Sequence, residues 1–195
     1  MDHSGVARVS EPDLIQLASQ GDGAAWEALM RQHQEPIFRF AYLLLGDADD
    51  AEDATQETFI RAYQALDRFD TTRPVRPWLL SIAANLSRNR RRSAGRYLAA
   101  LNRLLYAEPR SKVSIEDKSS QNMEAQALWQ AVQRLNEIDR QVVYLRYFLE
   151  MSTEEVAETM GIPTGTVKSR LHRALQRLRQ VIQHDFPSLF QGSEG

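Results

Sequence analysis

Apolar residues recur at helical spacing along most of the chain. Between Gly23 and Leu45, residues Trp26, Leu29, Met30, Ile37, Phe40, Ala41 and Leu44 fall three or four apart, which predicts an amphipathic helix. Pro36 lies inside that run and predicts a kink or a division, because proline lacks an N–H and its ring crowds the preceding turn. After Gly46, residues Ala51, Ala54, Phe59, Ala62, Tyr63 and Leu66 mark one face of another helix. Residues 69–77, FDTTRPVRP, read as a loop, since two prolines and paired threonines suit neither a helix interior nor a sheet. Trp78, Leu79, Ile82, Ala83 and Leu86 then open a helix that runs into an arginine-rich stretch. The register of Trp78 with Ile82 assigns the indole to the core rather than to a stacking platform. Strand-like alternation is nowhere sustained, so the chain is predicted to be all-α.

The stretch from Ser93 to Gln121 differs. YLAALNRLLY can form a short helix, but AEPRSKVSIEDKSSQN is polar, aperiodic and contains Pro109, which predicts a flexible linker. Beyond it, Leu128, Ala131, Val132 and Leu135 form one apolar stripe. Ile138, Val142, Val143, Leu145 and Phe148 form another, after Asn136 as N-cap. The pattern therefore predicts two small helical domains: residues 12–95 and 122–184, with a linker over 96–121 and a tail over 185–195. In the tail, Phe186, Leu189 and Phe190 are candidates to fold back on the second domain.

Near the C-terminus, STEEVAETMGIPTGTVKSRLHRAL has an internal grammar of its own. Ser152 and Glu155 have capping-box spacing, and the helix they start turns Val156, Ala157 and Met160 inward. Gly161 stops it, Pro163 prevents simple continuation, and Thr164 is placed to cap the next helix. That next helix assigns Val167, Leu171, Ala174, Leu175, Leu178 and Ile182 to its core side, leaving Lys168, Arg170, His172, Arg173, Arg177 and Arg179 on its other faces. A short helix, a tight turn and a basic second helix predict a helix-turn-helix, whose second helix enters the DNA major groove. Thr166, Lys168, Ser169, Arg170 and Arg173 are placed to meet base edges or phosphates. His172 is a surface histidine beside a phosphate or in water rather than a metal ligand.

Charge sharpens the picture through its segregation, because the 195-residue chain has a net charge of only -2. Residues 46–57 hold Asp47, Asp49, Asp50, Glu52, Asp53 and Glu57 without a base, whereas residues 87–96 hold Arg88, Arg90, Arg91, Arg92 and Arg96 without an acid. One acidic and two basic blocks predict two sorts of partner. There is no cysteine, so neither disulfides nor thiolate metal sites are available. No apolar run is long enough to span a membrane, and the N-terminus lacks a secretory signal, so the expected location is the cytoplasm. An enzyme is not expected: Asp49, Asp50 and Asp53 have no nearby histidine, Gly-rich phosphate loop or metal-ligand spacing, and no metal or cofactor is expected.

LNEIDRQVVYLRYFLEMSTEEVAETMGIPTGTVKSRLHRALQRLR resembles region 4 of the extracytoplasmic-function (ECF) sigma factors of bacterial RNA polymerase. AEDATQETFIRAYQAL resembles their region 2.2, and FDTTRPVRPWLLSIAANLSRNRRR their regions 2.3 and 2.4, in the family's order. The resemblance implies that Asp50, Asp53, Gln56, Glu57 and Phe59 dock on the β′ clamp helices of core polymerase, with the β flap as a further contact. It implies that Asp70, Thr71, Thr72, Arg73 and Arg76, with Asn85 and Asn89, capture the -10 promoter element, while Arg88, Arg91 and Arg92 hold phosphates. The last helix, through Thr166, Lys168, Ser169, Arg170, His172 and Arg173, is implied to read the -35 element. Promoter DNA, core RNA polymerase and an anti-sigma factor are the implied partners. A stand-alone helix-turn-helix regulator is the competing reading, but it leaves the acidic helix and the RPWLLSIAANLSRNRRR segment without a role.

Overall fold

The computed structural model describes residues 10–105, 120–185 and 187, with side chains left aside for 94–105 and 120–126. The described residues form eight α-helices and no strand, and the chain divides into two compact units, Met1–Ser93 and Ala94–Gly195. The stretch 106–119, most of the predicted linker, and tail residues Phe186, Leu189 and Phe190 lie outside the described residues.

In the first unit, α1 (Glu11–Ser19) packs on α2 (Gly23–Leu45), burying Ile15 and Ala18. Asp22 caps α2, its Oδ1 accepting from the N–H groups of Ala24 at 2.9 Å and Ala25 at 3.1 Å. Pro36 does not divide α2, which runs unbroken past it. Leu29, Ile37 and Phe40 are buried on both sides of the proline, so packing outweighs the one hydrogen bond it forfeits. Gly46 ends the helix in the left-handed conformation at φ 77°, where a side chain would be strained.

Helix α3 (Ala48–Ala65) lies against α2 through small residues, Ala51, Ala54 and Ala62, all fully buried. Thr55 and Thr58 are buried too, and each hydroxyl donates to the carbonyl one turn back at 2.7 Å, so neither is left unsatisfied. A 3-10 turn (Leu66–Arg68) leads to a shorter loop than expected, because α4 (Val75–Leu105) starts two residues before Pro77. Proline is tolerated there, in the first helical turn, where its missing N–H has no intrahelical partner. Trp78 is half-buried and lies against Phe69, ring centroids 4.4 Å apart, which is the packing role its register predicted. The YLAALNRLLY segment is not a separate helix; α4 continues through it to Leu105.

The second unit contains α5 (Ser120–Gln133), α6 (Glu137–Val143), one π-helical turn (Tyr144–Phe148), α7 (Thr153–Met160) and α8 (Thr164–Asp185). Asn136 caps α6 through Asp139 N–H at 2.9 Å. Tyr144 is fully buried, stacked on Trp129 at 5.9 Å and edge-on to Phe148 at 5.4 Å. Its hydroxyl accepts from Gln133 Nε2 at 2.8 Å, and Gln133 Oε1 in turn accepts from Arg140 Nη1 at 2.8 Å. Through this chain of bonds a buried arginine ties the end of α5 to α6. Leu128, Ile138 and Leu175, expected in the core, are instead exposed.

Candidate protein-docking and nucleic-acid interfaces

The acidic residues of α3 do not stand alone. Asp47 caps the helix by accepting from Asp50 N–H at 2.9 Å, and acids suit this end because of the helix dipole. Asp50 and Asp53, one turn apart and exposed, both accept from Arg90 Nη1 of α4, each at 3.2 Å. Glu57 accepts from Arg61 Nε at 2.7 Å, and Gln56 is exposed beside it. Phe59, expected on this docking surface, is only 4 % exposed and turns inward, meeting the Trp26 ring edge-on at 6.1 Å. Its neighbours Ile60 and Tyr63 take the outer position, at 53 % and 50 % exposure. Together Trp26, Met30, Gln56, Phe59, Ile60, Tyr63 and Gln64 line an open apolar groove of about 320 Å³ between α2 and α3. Sequence reasoning assigned Trp26, Met30 and Tyr63 to the core and passed over Ile60. The available signal was width: Phe59, Ile60, Ala62 and Tyr63 span more of α3 than one helix contact covers.

The loop before α4 is closed by Asp70. Its Oδ1 accepts from Thr72 N–H at 3.0 Å and Thr72 Oγ1 at 2.7 Å, and Arg73 N–H donates to the Asp70 carbonyl at 3.0 Å. Those Thr72 bonds, with a smaller contribution from Arg73, hold the Asp70 carboxyl below the ordinary aspartate range. Thr71, Thr72 and Arg73 are exposed and Arg76 is half-buried at the first turn of α4. Further along, Asn85 Oδ1 accepts from Arg88 Nη1 at 3.1 Å. At about 100° per residue, Asn85, Arg88, Asn89 and Arg92 share one face of α4, whereas Arg90 lies about 140° away and Arg91 off to the other side. The arginine-rich stretch is thus not one surface: Arg90 belongs to the α3 side.

In the second unit the helix-turn-helix closes as its grammar predicts. Ser152 Oγ accepts from Glu155 N–H at 3.1 Å while Glu155 Oε2 accepts from Ser152 N–H at 2.7 Å, a complete capping box. Gly161 is left-handed at φ 64°, and Ile162 N–H reaches back to the Ala157 carbonyl at 3.0 Å. Thr164 is the first residue of α8 rather than its cap; the Pro163 carbonyl accepts from Val167 N–H at 3.1 Å. Val167 and Ala174 are fully buried, so Lys168, Ser169, His172 and Arg173 are presented on the opposite, exposed face, flanked by half-buried Thr166 and Arg170. Within that face Ser169 Oγ donates to the Thr166 carbonyl at 3.0 Å and Arg173 Nε to the Ser169 carbonyl at 3.2 Å. Arg177, expected on the outer faces, pairs with buried Asp139 of α6 and so fastens α8 to the fold. Arg134, just after α5, and Asp185 at the end of α8, 2.7 Å apart, make a second tie to α8.

Known proteins carry the same two parts. The description "Sigma-70 region 2" matches residues 29–97, and "Sigma-70, region 4" matches residues 125–178. The ECF RNA polymerase sigma factor SigW of Bacillus subtilis is 32 % identical over 87 % of this chain and 95 % of its own length. SigL of Mycobacterium tuberculosis, another ECF RNA polymerase sigma factor, is 35 % identical over 85 % of this chain and 93 % of its own. Among solved structures, the sigma factor RpoE of Bartonella quintana, in complex with the anti-sigma factor NepR, superposes with a TM-score of 0.66 at 25 % identity, covering 82 % of this chain and 97 % of that one. CnrH, in complex with the cytosolic domain of CnrY, gives 0.68 at 26 % identity, covering 90 % and 98 %. With near-full-length relatives above 30 % identity and both regions matched in order, the chain belongs to the ECF sigma factors of bacterial RNA polymerase.

Proposed function

We propose that the two units divide the work of promoter-directed initiation. The first, expected over residues 12–95, docks on core RNA polymerase through Asp50, Asp53, Gln56 and Glu57, with Phe59 bracing the groove beside them from within. Its loop and α4, through Asp70, Thr71, Thr72, Arg73, Arg76, Asn85 and Asn89, capture the -10 element. Melting there needs an extruded base held in a pocket, and Asn85 offers polar groups for its edge. Arg88, Arg91 and Arg92 hold phosphates and contribute affinity more than sequence choice. The second unit, expected over residues 122–184, reads the -35 element with the exposed face of α8. Joined by the expected linker at 96–121, two weak readers gain from each other's effective concentration, so long as both sites lie within reach.

The observation that carries this reading is the pairing, on one chain, of an acidic helix beside an open apolar groove with a basic helix-turn-helix. A stand-alone operator-binding protein has no use for the first. The role requires no catalytic group of this chain's own, since polymerase supplies the chemistry. Control by an anti-sigma factor is supported by the RpoE complex with one. No helix among the described residues is long and apolar enough to cross a membrane, which agrees with a cytoplasmic site of action.

Reconstituted run-off transcription tests the division of work. Adding the protein to core polymerase on a promoter library is expected to give specific initiation that is lost, about 30-fold or more for two contacts, in the R170A/R173A variant. Protection of a DNA site by the protein alone, with no gain by polymerase, would return the stand-alone regulator.

A further inference from the structure

Arg90 sits in the densest basic stretch of the sequence, yet its guanidinium is turned away from the face shared by Asn85, Arg88, Asn89 and Arg92. It reaches to α3 and places Nη1 3.2 Å from Asp50 Oδ1 and 3.2 Å from Asp53 Oδ2. The two carboxylates, one helical turn apart, would otherwise repel each other, and one cation between them relieves that repulsion. Their side chains remain 57 % and 64 % exposed, and Arg90's is 34 % exposed, so the contact is open to an incoming partner. Arg61 covers the third acid, Glu57, in the same manner but from within α3.

We propose that Arg90 is an internal competitor for docking: it occupies the Asp50–Asp53 pair, and a partner's cation must displace it. The inference rests on the reading of Asp50 and Asp53 as docking residues and adds what holds them in the unbound chain. A bare acidic pair attracts any basic surface. A pair already satisfied gains little from a stray cation, because one exposed ion pair is exchanged for another of similar strength. A partner that also fills the groove beside Ile60 and Tyr63 brings apolar burial that a mere polycation lacks, and so affords the exchange. Arg90 thereby lowers affinity for every cationic partner by a similar factor, so that contacts made by charge alone fall to low occupancy while a groove-filling partner stays bound.

The test is fluorescence anisotropy of the full-length chain with core polymerase, without DNA, across a range of salt. R90Q is expected to bind core about two- to fivefold more tightly than wild type at low salt, the gap closing as salt rises. R90K, which keeps the cation, is expected to stay near wild type. Because the gain acts through the two carboxylates, it is expected to vanish when R90Q is placed on D50N/D53N. Equal or weaker binding by R90Q at low salt overturns the proposal, as it would mean that Arg90 positions the acids for the partner. A gain that persists on D50N/D53N overturns it too, and supplies the answer should R90Q alone disturb the fold. If neither R90Q nor D50N/D53N changes core binding, the docking reading falls instead; if D50N/D53N weakens binding while R90Q fails to tighten it, the acids dock and only the role given to Arg90 falls.

Discussion

The α3 face and the α8 face are both charged, helical and exposed, but they are satisfied in opposite ways. On α3 the acids Asp50, Asp53 and Glu57, proposed for docking, each meet an arginine of the same chain, and an apolar groove opens beside them. On α8, Lys168 and His172 are exposed and Arg173 donates to a backbone carbonyl, while Arg177 is held by Asp139. The contrast fits the partner proposed for each face. A protein partner brings its own apolar surface, so charge on α3 needs only to orient and select. A DNA backbone offers phosphates, and counterion release rewards cations that are available rather than paired. Salt should therefore weaken the α8 side steeply and the α3 side only in part.

The largest effect expected from breaking this contrast is on stability. Asp139 is buried, caps nothing by itself, but accepts from Asn136 Nδ2 at 2.8 Å and from Arg177. Asp139→Ala strands both donors and frees α8 from α6. A loss of about 2 kcal/mol is expected, discounted because Arg177 is half-exposed and regains water. For a unit of this size that is about 10 °C in the second unit's melting temperature, read by calorimetry. If the melting temperature holds while DNA affinity falls, Arg177 is a phosphate contact and not a fastening.

Next in size is the groove. Ile60→Asp places a carboxylate where a partner's apolar surface is expected, and core binding should weaken about tenfold or more. The side chain is exposed, so the fold should melt unchanged. The informative part is the salt dependence. If the groove contributes apolar burial, the loss persists at high salt, whereas the Arg90 effect fades there. A loss that disappears with salt would mean that α3 works by charge alone, like α8.

What was legible in the sequence was what is local. The Ser152–Glu155 box, the left-handed Gly161 and the Asn136 cap each involve residues three or so apart, and helical geometry alone brings them together. The basic outer face of α8 was equally legible, since Val167 and Ala174 fix its phase. Arg90 and Arg177 were not, because their partners lie 37 to 40 and 38 residues away, and periodicity says which face a residue takes but not which helix it will face. Phe59, Ile60 and Tyr63 show the same limit in another form. A broad apolar stripe contains core and interface in one pattern, and only the neighbouring helix decides that Phe59 is inside while Ile60 and Tyr63 are out. The division that Pro36 offered does not occur for a related reason: its local cost is outweighed by the packing on either side of it.

The smallest expected effect concerns a buried group of α2. His33 is 4 % exposed, and its Nε2 lies 3.1 Å from Glu11 Oε2 of α1. Burial pushes its pKa below the ordinary 6.5, Glu11 opposes that through its charge and hydrogen bond, and the Arg76 charge adds a little to the lowering. The sign follows from linkage. Below about 6.5 the unfolded chain takes up a proton that the folded chain still refuses, so stability present above that pH is lost as pH falls toward the folded value. His33→Gln keeps a donor for Glu11 and removes the titration, so its urea midpoint between pH 7.5 and 5.5 should fall less than that of wild type. Should wild type hold its stability better than the variant at the acid end, the Glu11 ion pair would outweigh burial. This small cluster would then join the Arg90 pair as a place in the first unit where a paired charge, beside apolar packing, holds two helices together.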